Sequence, residues 1–239
     1  MARDSRKSNG ILNGNGIQKS EETKRKNWMD IKTVFVAKNE KQKEVLRTIN
    51  NNTVTIISGL AGTGKTFLAV MYGLNEFLKG KYKRLIFTRP CVEAVGEKLG
   101  YLPGGFNEKI SPYMIPIFCV LEKAIGVERV NKLIEENCIV TLPLAFQRGV
   151  TFEDAFVLLD EAQNTIPNQI EMFLTRIGDN SKIVITGDPS QSDIDGINGL
   201  VDACERLKGV SGLAVVTMEK EHIVRHPIVA LISQKYERK

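Results

Sequence analysis

The run Gly59-Leu60-Ala61-Gly62-Thr63-Gly64-Lys65-Thr66 has the spacing G-x-x-x-x-G-K-T, and each residue type in it suits phosphate chemistry. Glycines let a backbone wrap tightly enough for successive N–H groups to face phosphate oxygens, and the positive end of a following helix adds to them. Lys65 would carry a point charge to the β- and γ-phosphates, and the Thr66 hydroxyl would ligate Mg2+. Phe67 completes the segment expected to touch a nucleotide. A glycine-rich turn can also do no more than cap a helix. A second group able to hold a metal separates the two readings.

Such a group stands about 95 residues further on, where Val157-Leu158-Leu159 runs into Asp160-Glu161-Ala162-Gln163. Asp160, closing an apolar strand, would hold the metal through its water shell, and Glu161 would orient and deprotonate an attacking water. Alone, an acidic pair here would only complement a helix dipole; together with the phosphate loop it predicts a Mg-ATP site and an ATPase. A third apolar run, 182–186, leads into Gly187-Asp188-Pro189-Ser190-Gln191. There Gln191 is placed to touch the γ-phosphate or the water, with Thr186 and Asp188 relaying its presence, although the same residue types also form ordinary turns.

These groups need a scaffold that brings distant loops to one place. Short apolar runs at 54–58 (VTIIS), 84–88 (RLIFT), 139–142 (IVTL), 155–159 (AFVLL), 182–186 (KIVIT) and 213–217 (LAVVT) read as strands buried on both faces. Amphipathic segments at 66–78, 167–177 and 199–207 alternate with them. Strands alternating with helices predict a three-layer α/β fold around a parallel sheet, with ligands at the strands' carboxyl ends.

GLAGTGKT, RP at 89–90, LGYLPG at 99–104, PY at 112–113, RG at 148–149, LDEAQN at 159–164, FLTRIG at 173–178, TGDPSQSD at 186–193 and VRHP at 224–227 together resemble the PhoH-like ATPases over about residues 36–236. That family is similar to the first RecA-like domain of superfamily-one helicases, so the resemblance implies a RecA-like P-loop NTPase fold. It also implies that Gln42 reads adenine, which favours ATP over GTP; a solvated polar residue of a charged helix is the other reading of that position. Gln163 would join Gln191 in sensing the γ-phosphate. Arg225 is the first candidate for an arginine finger and Arg176 the second. The implied function couples ATP hydrolysis to remodelling or translocation of RNA or other single-stranded nucleic acid. It is helicase-like, and carried out by a homo-oligomer, a hexameric ring. A nucleotide-dependent switch or adaptor with slow turnover, acting through a protein partner, is the alternative. The chain departs from the family pattern at Cys91-Val92-Glu93-Ala94-Val95-Gly96-Glu97, one residue longer than usual, and at Cys119 and His222, where an acidic residue is expected.

Charge bears little on the partner. The chain's 33 Lys/Arg against 28 Asp/Glu give a net charge of +5. Seven basic and four acidic residues in 1–30 account for +3 of it, so the domain expected over 31–239 keeps only +2. Residues 1–30, rich in Asn, Ser, Gly and charge, read as a flexible basic tail. The 209 residues that follow suit one RecA-like lobe, without a second lobe or a nuclease domain. Apolar stretches such as 114–121 and 139–146 are far short of the roughly 20 residues that cross a bilayer. With no apolar signal core after MARDSRKSNG, the expectation is a cytoplasmic protein with no membrane partner. Cys91, Cys119, Cys138 and Cys204 lack a Cys-x-x-Cys pair and read as buried reduced thiols. His222 and His226 lack a third ligand for zinc.

Overall fold

The computed structural model describes residues 33, 35–90, 106–225 and 228, with the backbone alone over 106–112. The tail at 1–30, the departure at 91–97 and His226 lie outside the described residues. Among the described residues, six parallel strands form one sheet: β1 (Val54–Gly59), β2 (Arg84–Thr88), β3 (Ile139–Thr141), β4 (Ala155–Leu159), β5 (Lys182–Gly187) and β6 (Leu213–Met218), in the order β3-β2-β4-β5-β1-β6. The helices are α1 (Glu40–Asn51), α2 (Lys65–Leu78), α3 (Phe106–Ile125), α4 (Val127–Glu135), α5 (Pro167–Leu174) and α6 (Gly199–Arg206). The expected three-layer α/β architecture is therefore present.

The apolar runs form central strands because both of their faces are covered. Side chains alternate across a strand. On β4, Val157 and Leu159 join Ile170 and Phe173 of α5 and Leu200 of α6 on one face. Phe156 meets α2 on the other, where a Cβ on Gly73 would lie 2.4 Å from its ring. Tyr72 and Tyr82 close around that ring at 5.9 and 6.1 Å. The edge strand β6 is only partly covered.

Two boundaries differ from the sequence expectation for backbone reasons. The segment at 167–177 stops being helical after Leu174, because the Arg176 carbonyl accepts from Phe152 N–H and the Phe152 carbonyl accepts from Gly178 N–H. The strand at 139–142 ends at Thr141, just ahead of Pro143. The thiol expectation also needs correction: Cys119 on α3 is exposed, and Cys138 and Cys204 are only half-buried.

Lys182 shows how the sheet anchors a helix end. Its ammonium, buried at the start of β5, donates to the carbonyls of Ile49, Asn50 and Asn52, which close α1. A positive charge belongs at a helix C-terminus, and carbonyls buried without donors are costly. Lys182→Met is expected to lower stability by about 1–3 kcal/mol, read as a lower urea midpoint at unchanged slope.

Candidate nucleotide site

The phosphate loop joins β1 to α2, and its glycines have steric reasons. Gly59 has φ of 149°, and a Cβ there would fall 2.0 Å from the Met218 carbonyl oxygen of the neighbouring strand. Gly64, the N-cap of α2, is left-handed with φ of 93° and no side chain caps the helix. The amides of Gly64, Lys65, Thr66 and Phe67 find no acceptor among the described residues, and such unpaired donors make a helix N-terminus a site for anions. Lys65 arches over the loop, donating from Nζ to the carbonyls of Gly59 at 2.6 Å and Leu60 at 2.9 Å. Burial pushes its pKa down, while Asp188, Asp160 and Glu161 push it back up and Arg225 lowers it.

The sheet order brings the second motif to the first. β5 lies between β1 and β4, so Thr186 at its end falls between the loop and Asp160. Thr66 Oγ1 donates to Asp160 Oδ1 at 2.8 Å, and Thr186 Oγ1 donates to the same oxygen at 2.6 Å. On the other side of β4 stands β2, whose following residue, Arg89, donates to Asp160 Oδ2 from Nη2 at 2.5 Å and from Nε at 3.1 Å. A hydroxyl beside a carboxylate is the hard oxygen set that suits Mg2+. Thr66 and Asp160 therefore fit the metal that a nucleotide triphosphate brings.

Directly after Asp160 the chain reverses. Glu161 has φ of 57°, a conformation costing a non-glycine residue about 1–3 kcal/mol and found at functional sites. Its Oε2 accepts from Gln163 Nε2 at 2.6 Å, and Gln163 Oε1 accepts from Asp188 N–H at 3.0 Å. Asp188 Oδ2 in turn accepts from Ala61 N–H of the phosphate loop at 2.7 Å. A continuous polar chain thus joins the acidic residue to the loop. Gly187 is part of that fit, because a Cβ there would lie 2.7 Å from Gln163 Oε1.

Lys65, Thr66, Arg89, Asp160, Glu161 and Asp188 line one cleft of about 400 Å³, which also takes in Gly62, Phe67, Gln191 and Arg225. That volume lies within the roughly 300–1,000 Å³ usual for small-molecule sites. Phe67 is 40% exposed and packs edge-on against Phe35, with ring centroids 5.5 Å apart. Arg225 stands over the loop, its side chain 2.6 Å from where a Cβ of Gly62 would be, and Val224 N–H holds the segment through the Gly62 carbonyl at 3.0 Å.

Not every expected residue reaches the cleft. Arg176 does not line it: its Nε turns back to the Met172 carbonyl at 3.2 Å, since α5 has already ended. Gln163 is buried behind the cleft wall, so it meets the site through Glu161 and Asp188. Gln42 is 2% exposed, which overturns the reading of a solvated residue. Its Oε1 accepts from Lys38 N–H at 2.8 Å and its Nε2 donates to the Thr63 carbonyl at 3.2 Å, bracing the loop from behind. Arg89, Pro116, Val120 and Val224 line the cleft without having been singled out as site residues. The TRP triplet closing β2 held the signal for Arg89, but it becomes visible only once β2 is known to neighbour β4. His222 caps its own turn, Nδ1 accepting from Glu219 N–H at 2.9 Å. Among the described residues no cluster of three His, Cys, Asp or Glu is arranged for a metal ion, and no helix is long and apolar enough to cross a membrane.

A glycine-wrapped loop ahead of a helix, a Lys-Thr pair and a strand-ending carboxylate separated from the loop strand by one further strand define a RecA-like P-loop NTPase fold. A family model for PhoH-like proteins matches residues 34–237, and the chain belongs to the PhoH-like family. It is 45% identical over 199 residues to a PhoH-like protein of Bacillus subtilis, covering 82% of this chain and 62% of the relative. It is 37% identical over 195 residues to the protein PhoH of Escherichia coli K12, covering 80% of this chain and 55% of that one. The chain thus spans 62% or less of the length of these relatives. A solved structure similar to it is that of Pif1 helicase from Candida albicans, with 16% identity, a TM-score of 0.40 and coverage of 78% of this chain and 40% of that chain.

Proposed function

We propose that this chain binds and hydrolyses ATP with Mg2+ and couples hydrolysis to the remodelling or translocation of RNA or other single-stranded nucleic acid. The observation that carries the hydrolytic part is the meeting of Lys65, the Thr66–Asp160 pair and Glu161 in one cleft. Lys65 and the free loop amides bind the phosphates, and Thr66 and Asp160 hold the metal side. Bound Mg2+ would neutralise charge on the β- and γ-phosphate oxygens. The Glu161 carboxylate accepts the proton of the attacking water, and Gln191 contacts that water or the γ-phosphate. Arg225 supplies positive charge from the same chain, which favours an arginine acting in cis. Gln42 keeps one amide hydrogen and one lone pair beyond its two backbone contacts, the complement of adenine's N7 and N6 amino group.

The nucleic-acid substrate and the homo-oligomeric ring rest on the family resemblance. The coupled reading predicts that single-stranded RNA or DNA raises the steady-state ATPase rate at low salt, where phosphate contacts are strongest. Equal rates with and without polynucleotide would reject coupling and leave a nucleotide-dependent switch.

A further inference from the structure

Arg89 has no role in the nucleotide chemistry above, yet its side chain makes three hydrogen bonds at the cleft wall. Besides its two bonds to Asp160 Oδ2, its Nη1 donates to the Tyr113 carbonyl of α3 at 2.7 Å, and Nη2 lies 3.9 Å from Glu161 Oε1. The Arg89 side chain is 11% exposed and that of Asp160 2%, so water and salt screen the pair weakly. A guanidinium is planar and its N–H groups are rigidly arranged. Gripping a carboxylate with one edge therefore fixes the direction of the remaining donors.

One of these, on Nη1, meets α3 at a weak turn. Pro116 lies inside that helix, and a proline there removes the N–H that would reach the carbonyl four residues earlier and crowds that turn. Tyr113 is three residues before it. Pro116 and Val120 of the same helix line the cleft that contains Thr66 and Asp160. One side chain thus ties the metal-side carboxylate to the interrupted turn of a helix that walls the site.

We propose that Arg89 is the positioning residue that couples Asp160 to α3. It fixes the Asp160 carboxylate so that Oδ1 faces the hydroxyls of Thr66 and Thr186, and it holds the Pro116 turn of α3 against the cleft. A change in the demand on Asp160 is thereby felt by α3. The inference rests on the reading of Asp160 as the metal-side group for a nucleotide.

Two measurements test it. In nucleotide-free protein, hydrogen exchange of a peptide spanning 113–125 is expected to quicken about tenfold or more in Arg89→Met, and to a lesser degree in Asp160→Asn, whose amide oxygen accepts from the arginine without the charge. Exchange in the sheet stays as in wild type. Affinity for ADP and for a non-hydrolysable ATP analogue is then measured with Mg2+ and with EDTA. Arg89→Met is expected to lose about tenfold or more with Mg2+, in the range for partners that orient metal ligands, and less than about twofold in EDTA. Arg89→Lys keeps the charge without the fork and falls between. Unchanged exchange over 113–125, or equal affinity losses with and without Mg2+, overturns the proposal. Should Arg89→Met fail to fold, Arg89→Lys and Asp160→Asn carry both measurements. If wild type bound no nucleotide, the nucleotide reading would fall, while the exchange data would still decide whether Arg89 links the two elements.

Discussion

Lys65→Ala is expected to abolish useful binding of Mg-ATP, raising the dissociation constant at least about a hundredfold, or about 3 kcal/mol, as charge-assisted contacts to two phosphates are lost. The magnitude follows from where the ammonium sits. Its two present partners are carbonyls of the loop itself, so it is already poised over the turn that wraps the phosphates. It is also largely withdrawn from water, which leaves its charge weakly screened. The fold should tolerate the change, because burial already disfavours the charged form and its removal leaves only loop carbonyls to be rehydrated. A fluorescent-nucleotide titration alongside a thermal melt separates the two effects. Binding within tenfold of wild type would remove Lys65 from its assigned role.

Glu161→Gln is expected to do the opposite: nucleotide binds within a few-fold of wild type, and turnover falls about 10²–10⁴-fold, the usual worth of a positioned general base. Glutamine has nearly the same shape and can still accept from Gln163 Nε2, so the polar chain through Asp188 to the loop persists. What disappears is the carboxylate's capacity to take a proton. Single-turnover phosphate release with a parallel binding titration distinguishes this from a folding defect. Full activity in the variant would refute the water-activating assignment.

Much of this geometry is legible from residue types and spacing because it is local. The six apolar runs are the six strands, and the phosphate loop, the Asp160-Glu161 pair and the turn at Asp188–Gln191 directly follow β1, β4 and β5. Helix α3 is harder to read, as its prolines break the usual pattern and its apolar stretch at 114–121 is only part of a 20-residue helix. Long-range placement is harder still. Nothing in the order of residues says that β2 pairs with β4, which is what sets Arg89 on Asp160. Arg176 illustrates the converse: FLTRIG carries the family resemblance, but the backbone pairing with Phe152 turns that arginine away from the cleft. Gln42 combines both cases, since its position upstream of β1 is readable and its burial against the loop is not.

The central claim is that the loop, the Thr66–Asp160 pair and Glu161 form one Mg2+-dependent ATP-hydrolysing site. Its most direct test is steady-state release of inorganic phosphate from saturating ATP by the purified chain, with Mg2+ and with EDTA, beside Glu161→Gln as the blank. The predicted result is sustained release with Mg2+ that falls to the level of the blank in EDTA. Release no greater than that of Glu161→Gln, or release that persists undiminished in EDTA, would contradict the account.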